Sequence, residues 1–387
     1  MKHFLFILIG LIGAGVRSIS QTQPDSSITL RFIFTSDPHY GLTRPNFRGK
    51  PNVDARVVNA AMIEKINSLA TTSIPTDSGV NAGRIIGGVD FLVEGGDITN
   101  RMEPPVQTSA ASWNQFEVDY LRGTKLLDHS GKPACWLLIP GNHDISNAIG
   151  FYRPMYPTRD SSAMLNIYSL MMGTNNPGQG KSYNYSQSKI NYSRNICGIH
   201  LVFINLWPDS ANRMWFKQDL ESIGDNIPVI VFSHDQPESE AKHFTNPNPP
   251  YDINAVDKFE NLLCEVYKDS SKISPEGKSN TDLEQRGWAN FLKLHRNIKA
   301  YFHGNSNYNE YYLYQGPDHD LSLPVFRVDS PIKGRYSSKD EKLLSFQLID
   351  IDVQSKIMTV RECLWNSDPQ YPQEPIHWGM TQNVRLD

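Results

Sequence analysis

Several things are missing from this chain, and each absence narrows what it can be. Its 387 residues carry only four cysteines, Cys135, Cys197, Cys264 and Cys363. None stands in the CxxC spacing that a zinc knuckle needs. There is no excess of positive charge: 37 basic residues face 41 acidic ones, a formal charge of −4. A basic face for the phosphate backbone is therefore not indicated, and no nucleic-acid binding is expected. Beyond the first 20 residues no apolar run approaches the ~20 residues of a membrane span. No repeat of fixed period occurs, and no Pro/Gly/Ser-rich linker marks a second independent domain. Hydrophobic residues at 39% against 20% charged exclude global disorder.

The N-terminus has its own pattern. Lys2 and His3 precede an uncharged apolar run over 4–16, and Ser18 and Ser20 put small residues at −3 and −1 before Gln21. That is the layout of a secretory signal peptide over 1–20. The run is too short to anchor, and no cysteine follows it to carry a lipid. An exported protein, periplasmic or extracellular, is expected, with 21–387 as one domain. Export permits disulfides, and four cysteines allow three connectivities. Cys135 and Cys197 lie in apolar strand-like runs, where buried free thiols are expected.

What is present is a series of strands that end on chemistry. Residues 137–144 read Leu-Leu-Ile-Pro-Gly-Asn-His-Asp. An apolar run stops at Pro140-Gly141 and opens into three polar residues, the signature of a buried strand leading into a loop. In open α/β sheets chemistry sits at that edge. Asn142 can offer an amide oxygen to a metal, His143 can carry a proton, and Asp144 can hold the His143 ring in one tautomer. Upstream, the β-branched and aromatic run 28–36 ends at Asp37-Pro38-His39. Residues two apart on an extended segment share a face, so Asp37 and His39 form a compact metal-binding pair. The run 89–93 ends at Glu94-Gly95-Gly96-Asp97, the run 228–232 at Ser233-His234-Asp235, and the run 298–302 at His303-Gly304-Asn305-Ser306-Asn307.

Between these runs, apolar spacing predicts helices over 52–69, 112–127, 215–223, 253–267 and 288–296. Strand, site loop and helix repeat through the first third, which is the logic of βαβ units and a largely parallel sheet. Residues 146–196 break the pattern and read as an insertion after the third site loop. The tail is strand-rich, with strands over 308–314, 323–328, 343–351 and 356–363 and a hairpin turn at 351–354.

Asp37-x-His39, Gly96-Asp97, Gly141-Asn142-His143-Asp144 and His234 stand in order over residues 29–307. In this the chain resembles the calcineurin-like metallophosphoesterases, whose blocks are D-x-H, G-D, G-N-H-D/E, a lone H and G-H-x-H. The resemblance implies a four-layer α/β/β/α sandwich with two mixed sheets flanked by helices. It implies two divalent ions, Mn, Fe or Zn, about 3.5–4 Å apart. Asp37, His39 and Asp97 would hold one, and Asp97, Asn142 and His234 the other, with Asp97 as the bridge. A bridging hydroxide would attack a small-molecule phosphate ester, monoester or diester, with His143 as general acid and Asp144 as its orienting partner.

The fifth block departs, with Asn305 and Asn307 where the family has imidazoles. An amide oxygen is a weaker ligand, a loss that Mn²⁺ or Ca²⁺ tolerates better than Zn²⁺. The neighbouring His303 is a substitute ligand only through a shift of register, and Glu310 is a further candidate as a substitute oxygen ligand. The alternative for Asn305 and Asn307 is an ordinary turn role. Arg101 falls at the offset where protein-phosphatase members carry a phosphate-gripping arginine, while Asn100 in place of a tyrosine argues against the purple acid branch. Two other readings stay open: a weak or inactive binding module on this scaffold that holds a phosphorylated or sugar ligand, and hydrolysis of a non-phosphate ester. Tyr152, Tyr156, Trp207 and Trp215 can stack a sugar or base, or simply pack in the core.

Overall fold

The computed structural model describes residues 28–100, 107–145, 160–173, 183–184, 188–246, 252–254, 263–268 and 281–387. The expected signal peptide, Arg101, Tyr152 and Tyr156 lie outside the described residues, as do 255–262 of the expected 253–267 helix. The parts of that stretch that are described, 253–254 and 263–267, carry no helix.

Two six-stranded sheets make the frame. The first takes β1 (Thr29–Thr35), β4 (Phe91–Glu94), β5 (Cys135–Leu138), β12 (Ser345–Asp352), β13 (Ile357–Leu364) and β14 (His377–Arg385) in the order β14-β13-β12-β1-β4-β5. The second takes β6 (Tyr192–Ile196), β7 (Ile199–Ile204), β8 (Val229–Ser233), β9 (Ile298–His303), β10 (Glu310–Tyr314) and β11 (Leu323–Arg327) in the order β10-β11-β9-β8-β7-β6. A separate hairpin pairs β2 (Thr43–Phe47) with β3 (Lys50–Asp54). Strands β1, β4 and β5 are mutually parallel, and so are β7, β8, β9 and β11; antiparallel strands flank both groups. The expected parallel sheet is thus a pair of mixed sheets, with the parallel strands at the centre of the second and along one side of the first.

Helices α1 (Ala55–Ser68), α2 (Ser109–Phe116), α3 (Asn142–Ile145) and α4 (Ser162–Met172) belong to the half built on the first sheet, and α5 (Ser210–Glu221) and α6 (Asp282–Leu294) to the other. Val58, Met62 and Ile66 of α1 recur every four residues and pack into the larger core. Asp54 caps that helix by accepting from the Arg56 amide at 2.8 Å. Phe216 and Leu220 of α5 pack with Trp288, Phe291 and Leu292 of α6 in a second core on the outer face of the second sheet. Trp207 is buried there and Trp215 packs against it, so both tryptophans are core residues. The result is the expected α/β/β/α order of layers.

Strand β8 shows why these runs are apolar throughout. Its Val229 and Val231 face the outer core and its Ile230 and Phe232 the space between the sheets, so both faces are buried. Phe232 belongs to a row of rings that crosses all six strands of the second sheet: Tyr192, Phe203, Phe232, Phe302, Phe326 and Tyr311. Neighbouring centroids lie 4.5, 4.9, 5.1, 4.8 and 5.1 Å apart. The first sheet meets the row edge-on, with Phe32 at 5.8 Å from Phe232 and Phe34 at 5.4 Å from Phe302. Such pairs add about 0.5–1.5 kcal/mol each beyond burial.

Four features differ from expectation. The hairpin β2–β3 and strand β14 are rich in polar residues and exposed at most positions, so their sequence lacks a buried face. Within 146–196, α4 and β6 are regular elements. Cys135 and Cys197 are exposed, because one opens β5 at its outer end and the other sits in the β6–β7 turn at φ 50°. Cys363 is the buried cysteine, and all four are free thiols.

Phe232 touches Phe203, Phe302, Phe32 and Phe34, so Phe232→Ala is expected to cost about 3–5 kcal/mol. Chemical denaturation reads this as a lower midpoint, and a loss under 1 kcal/mol would show that the row does not join the sheets.

Candidate metal centre

Parallel strands end on one edge, and in both sheets that edge carries the polar loops. Asp37 and His39 follow β1, Asp97 follows β4, Asn142 and His143 follow β5, His234 follows β8, and Asn305 and Asn307 follow β9. Backbone hydrogen bonds lock the loops together. The amides of Asp37 and His39 donate to the carbonyls of Gly96 (2.9 Å) and Asp97 (3.0 Å), and that of Gly304 to His234 (3.1 Å).

The D-x-H segment is not extended. Asp37, His39 and Asp97 all adopt left-handed backbone, at φ 59°, 43° and 57°. Non-glycine residues are uncommon there. Asp37 and His39 converge because the chain coils tightly at Pro38, which corrects the shared-face expectation. The motif glycines make room for the acids. A Cβ on Gly141 would collide with the Asp97 carboxylate, and one on Gly304 with the Ser36 hydroxyl and the Asp37 carboxylate.

Asp97 is central and buried, and its two oxygens face different imidazoles. Oδ1 lies 3.3 Å from His234 Nε2, and Oδ2 lies 3.7 Å from His39 Nε2. Asp37 Oδ1 is 3.4 Å from His39 Nε2, and Asn142 Oδ1 is 3.1 Å from His234 Nε2. Donors about 2.1 Å from a shared cation stand about 3–3.5 Å apart; the 3.1, 3.3 and 3.4 Å spacings fall in that range, and the 3.7 Å between His39 and Asp97 is slightly wider. Grouped by carboxylate and imidazole alone, two triads emerge: Asp37–Asp97–His234 and His39–Asp97–His143. Asp97 is common to both.

The buried surroundings also fit a cation. Among the described residues, Asp37 Oδ1 and both ring nitrogens of His39 have no hydrogen-bond partner. Each such orphan costs about 1–3 kcal/mol unless something compensates it. The second shell is set accordingly. Asp37 Oδ2 accepts from the Ser36 hydroxyl (2.6 Å) and the Asn305 amide (3.0 Å), leaving Oδ1 to the centre. The Gly95 carbonyl accepts from His234 Nδ1 at 2.7 Å, which turns Nε2 towards Asn142 and Asp97. Below the centre, Glu94 accepts from the Thr35 hydroxyl at 2.6 Å, and burial pushes its carboxyl well above the usual range.

Electrostatics separate the histidines. Burial lowers His39 and His143, and the Lys333 ammonium lowers both further. Burial also works against a charged His234, but Asp97 overrides it and raises this ring well above its ordinary value. Burial opposes ionisation of Asp97 as well, yet His234 and His143 hold its carboxyl well below the usual range.

Asp144 stands elsewhere than expected. Its carboxylate accepts from the amides of Gly141 (2.9 Å), Ile98 (3.2 Å) and Thr99 (2.9 Å) and from the Thr99 hydroxyl (3.1 Å). It joins the loops after β4 and β5, and its role as partner of the His143 ring is corrected: those four donors occupy both oxygens. Burial and Asp97 raise its pKa to about 6.

Asn305 and Asn307 lie at φ 58° and 60°, and their amides serve the turn. Asn305 Nδ2 donates to Asp235 Oδ1 at 2.8 Å, and Asn307 Nδ2 to the Asn305 carbonyl at 2.6 Å. Asn307 Oδ1 is buried with no partner among the described residues. His303 faces the outer side of its sheet, against Tyr301 and Tyr312. Glu310 pairs with Arg327 at 2.8 Å.

Lys333 is absent from the sequence expectation, yet its Nζ donates to His143 Nε2 at 3.1 Å. It stands in the loop after β11, a seventh parallel strand whose end reaches the same edge. Reading 323–328 as one strand of a generic tail hides it. Ser330 ties that loop to the centre by donating to the Asp37 carbonyl at 2.8 Å.

The family model of the calcineurin-like phosphoesterases matches residues 30–262, and the chain belongs to that family. It is a hydrolase of phosphate esters, and the family implies a dinuclear centre of divalent ions. Among curated proteins none matches. Among solved structures the chain is similar to a dimetal phosphatase from Danio rerio (LOC 393393), at 9% identity and a TM-score of 0.51, covering 92% of this chain and 99% of that one. This likeness shows the fold. The phosphopantetheinyl hydrolase PptH of Mycobacterium tuberculosis matches at 10% identity, covering 81% of this chain and 94% of that one, with a TM-score of 0.34.

Asp97 raises the His234 ring well above its ordinary value, so a cation that takes this nitrogen competes with a proton. Mn²⁺ binding at pH 7 is expected to release about one proton per chain, and affinity to fall as pH drops. Calorimetry in buffers of different ionisation enthalpy measures this; a heat independent of buffer contradicts it.

Proposed function

We propose that the protein hydrolyses small-molecule phosphate esters at this centre, with His143 as the proton donor to the leaving oxygen. The observation that carries the reading is the single buried carboxylate, Asp97, whose two oxygens face two imidazoles. Two divalent ions, when bound, supply the charge that polarises the phosphoryl group and activates water. The protein residues do the rest. Asp37, His39 and Asp97 would hold one ion, and Asp97, Asn142 and His234 the other. The Gly95 carbonyl and the Ser36 hydroxyl keep these ligands aimed.

Hydrolysis forms a bond from water oxygen to phosphorus and breaks the bond to the ester oxygen, which then needs one proton. His143 stands at the rim of the centre, with Nε2 4.0 Å from Asp97 Oδ2 and its amide anchored to Asp97 Oδ1 at 2.8 Å. In this structure its Nε2 accepts from the Lys333 ammonium, so the ring takes up a proton from solvent at Nε2 before it passes one to the leaving oxygen. Asp144 contributes by fixing the loop that carries His143.

With Mn²⁺ supplied, turnover of an aryl phosphate is expected to fall at least about 10³-fold in Asp97→Asn and about 10²–10³-fold in His143→Ala, or roughly 3–4 kcal/mol. Asp97→Asn is also expected to lose metal, which elemental analysis reads. Unchanged turnover in both variants overturns the assignment. A wild type that holds two metals and turns over no phosphate ester points instead to a binding module.

A further inference from the structure

A cavity of about 560 Å³ opens beside the centre. Leu42, Pro45 and Ile332 give it an apolar wall, and Asn307 connects it to the turn after β9. Two cations border it, Lys333 on the side of His143 and Arg335 further along the same loop, and none of its described lining residues is a carboxylate. The loop is pinned at both ends of this stretch. The Ser330 hydroxyl accepts from the Lys333 amide at 3.0 Å while donating to the Asp37 carbonyl, and the Arg335 amide donates to the Asn307 carbonyl at 2.6 Å. Both cations are therefore placed by the same loops that place the metal ligands. The Arg335 side chain is exposed and lies over the rings of Tyr308 (5.2 Å) and Tyr336 (5.6 Å), cation–π contacts that favour this placement of the guanidinium.

We propose that this cavity is the leaving-group subsite for a doubly anionic ester, with Lys333 gripping a non-bridging oxygen of the reacting phosphoryl group and Arg335 reading a second anionic group on the leaving part. The inference rests on the phosphoesterase reading above. A phosphoryl group in the centre offers the ammonium a stronger acceptor than an imidazole, because a charged oxygen accepts a charge-assisted hydrogen bond. Transfer of the Lys333 contact to that oxygen frees His143 Nε2 to face the leaving oxygen. A planar guanidinium suits a carboxylate or a second phosphate, which it binds with two parallel hydrogen bonds. The apolar wall accommodates the carbon frame between the two anions. Lys333 is in this account a catalytic residue, and Arg335 sets specificity.

The test uses the Mn²⁺-loaded full chain and two isosteric esters, 4-carboxyphenyl phosphate and 4-carbamoylphenyl phosphate. Wild type is expected to prefer the carboxylate ester at least about tenfold in kcat/KM, through KM. Arg335→Gln is expected to bring that ratio to within about twofold of one. Lys333→Met is expected to lower kcat on both esters about 10²-fold and to weaken inhibition by inorganic phosphate about tenfold, with Lys333→Arg restoring part of both and metal content unchanged. Equal use of the two esters by wild type, or an unaltered ratio in Arg335→Gln, overturns the subsite. Phosphate inhibition and kcat unmoved in Lys333→Met overturn its phosphoryl contact. No hydrolysis of either ester by a dimetal wild type refutes the phosphoesterase reading itself, and the inference falls with it.

Discussion

Everything at this site turns on one carboxylate that is shared. Asp97 is buried with its oxygens aimed at imidazoles on opposite sides, close to a second buried acid, Asp37. Burying two carboxylates is expensive unless positive charge meets them. In the protein alone the charge on His234 meets part of that need. Asp37 Oδ1 and the His39 ring, which meet no hydrogen-bond partner among the described residues, show where the rest of it falls. A pair of divalent ions would satisfy all of these groups at once. The surrounding architecture holds the groups in place: left-handed backbone at Asp37, His39 and Asp97, glycines where a Cβ would strike a carboxylate, and a hydrogen-bond lattice between loops.

The frame behind that carboxylate is built for rigidity. Two sheets present their parallel edges on the same side, and rings stacked across the second sheet meet Phe32 and Phe34 of the first. His234 lies two residues beyond Phe232, Gly304 two beyond Phe302, and Asp37 three beyond Phe34. Each loop therefore leaves a strand whose last residues are fixed by aromatic packing. A site that tolerates errors of only about 0.5 Å needs such supports.

Much of this was legible in the residues alone, for physical reasons. Asp37, His39, Asp97, Asn142 and His234 could be found because strands buried on both faces are continuous apolar runs, and a polar cluster at the end of one is conspicuous. The helix α1 was readable from Val58, Met62 and Ile66, though its first residues by pattern belong to the β2–β3 hairpin. Elements with no buried face, such as β14, left no periodic mark. Residue roles were harder than residue positions. Asp144 neighbours His143 in sequence, but backbone amides brought in from β4 claim its oxygens. Lys333 is 190 positions from its contact, and only the pairing of β11 beside β9 brings it there.

The most direct test of a shared Asp97 is electron paramagnetic resonance on the protein loaded with two equivalents of Mn²⁺. Ions held by one carboxylate sit close enough for exchange coupling, so the spectrum is predicted to show the multiline signal of a coupled pair, lost in Asp97→Asn. A six-line spectrum of isolated Mn²⁺ at full loading of the wild type would mean that the two oxygens of Asp97 do not join two cations.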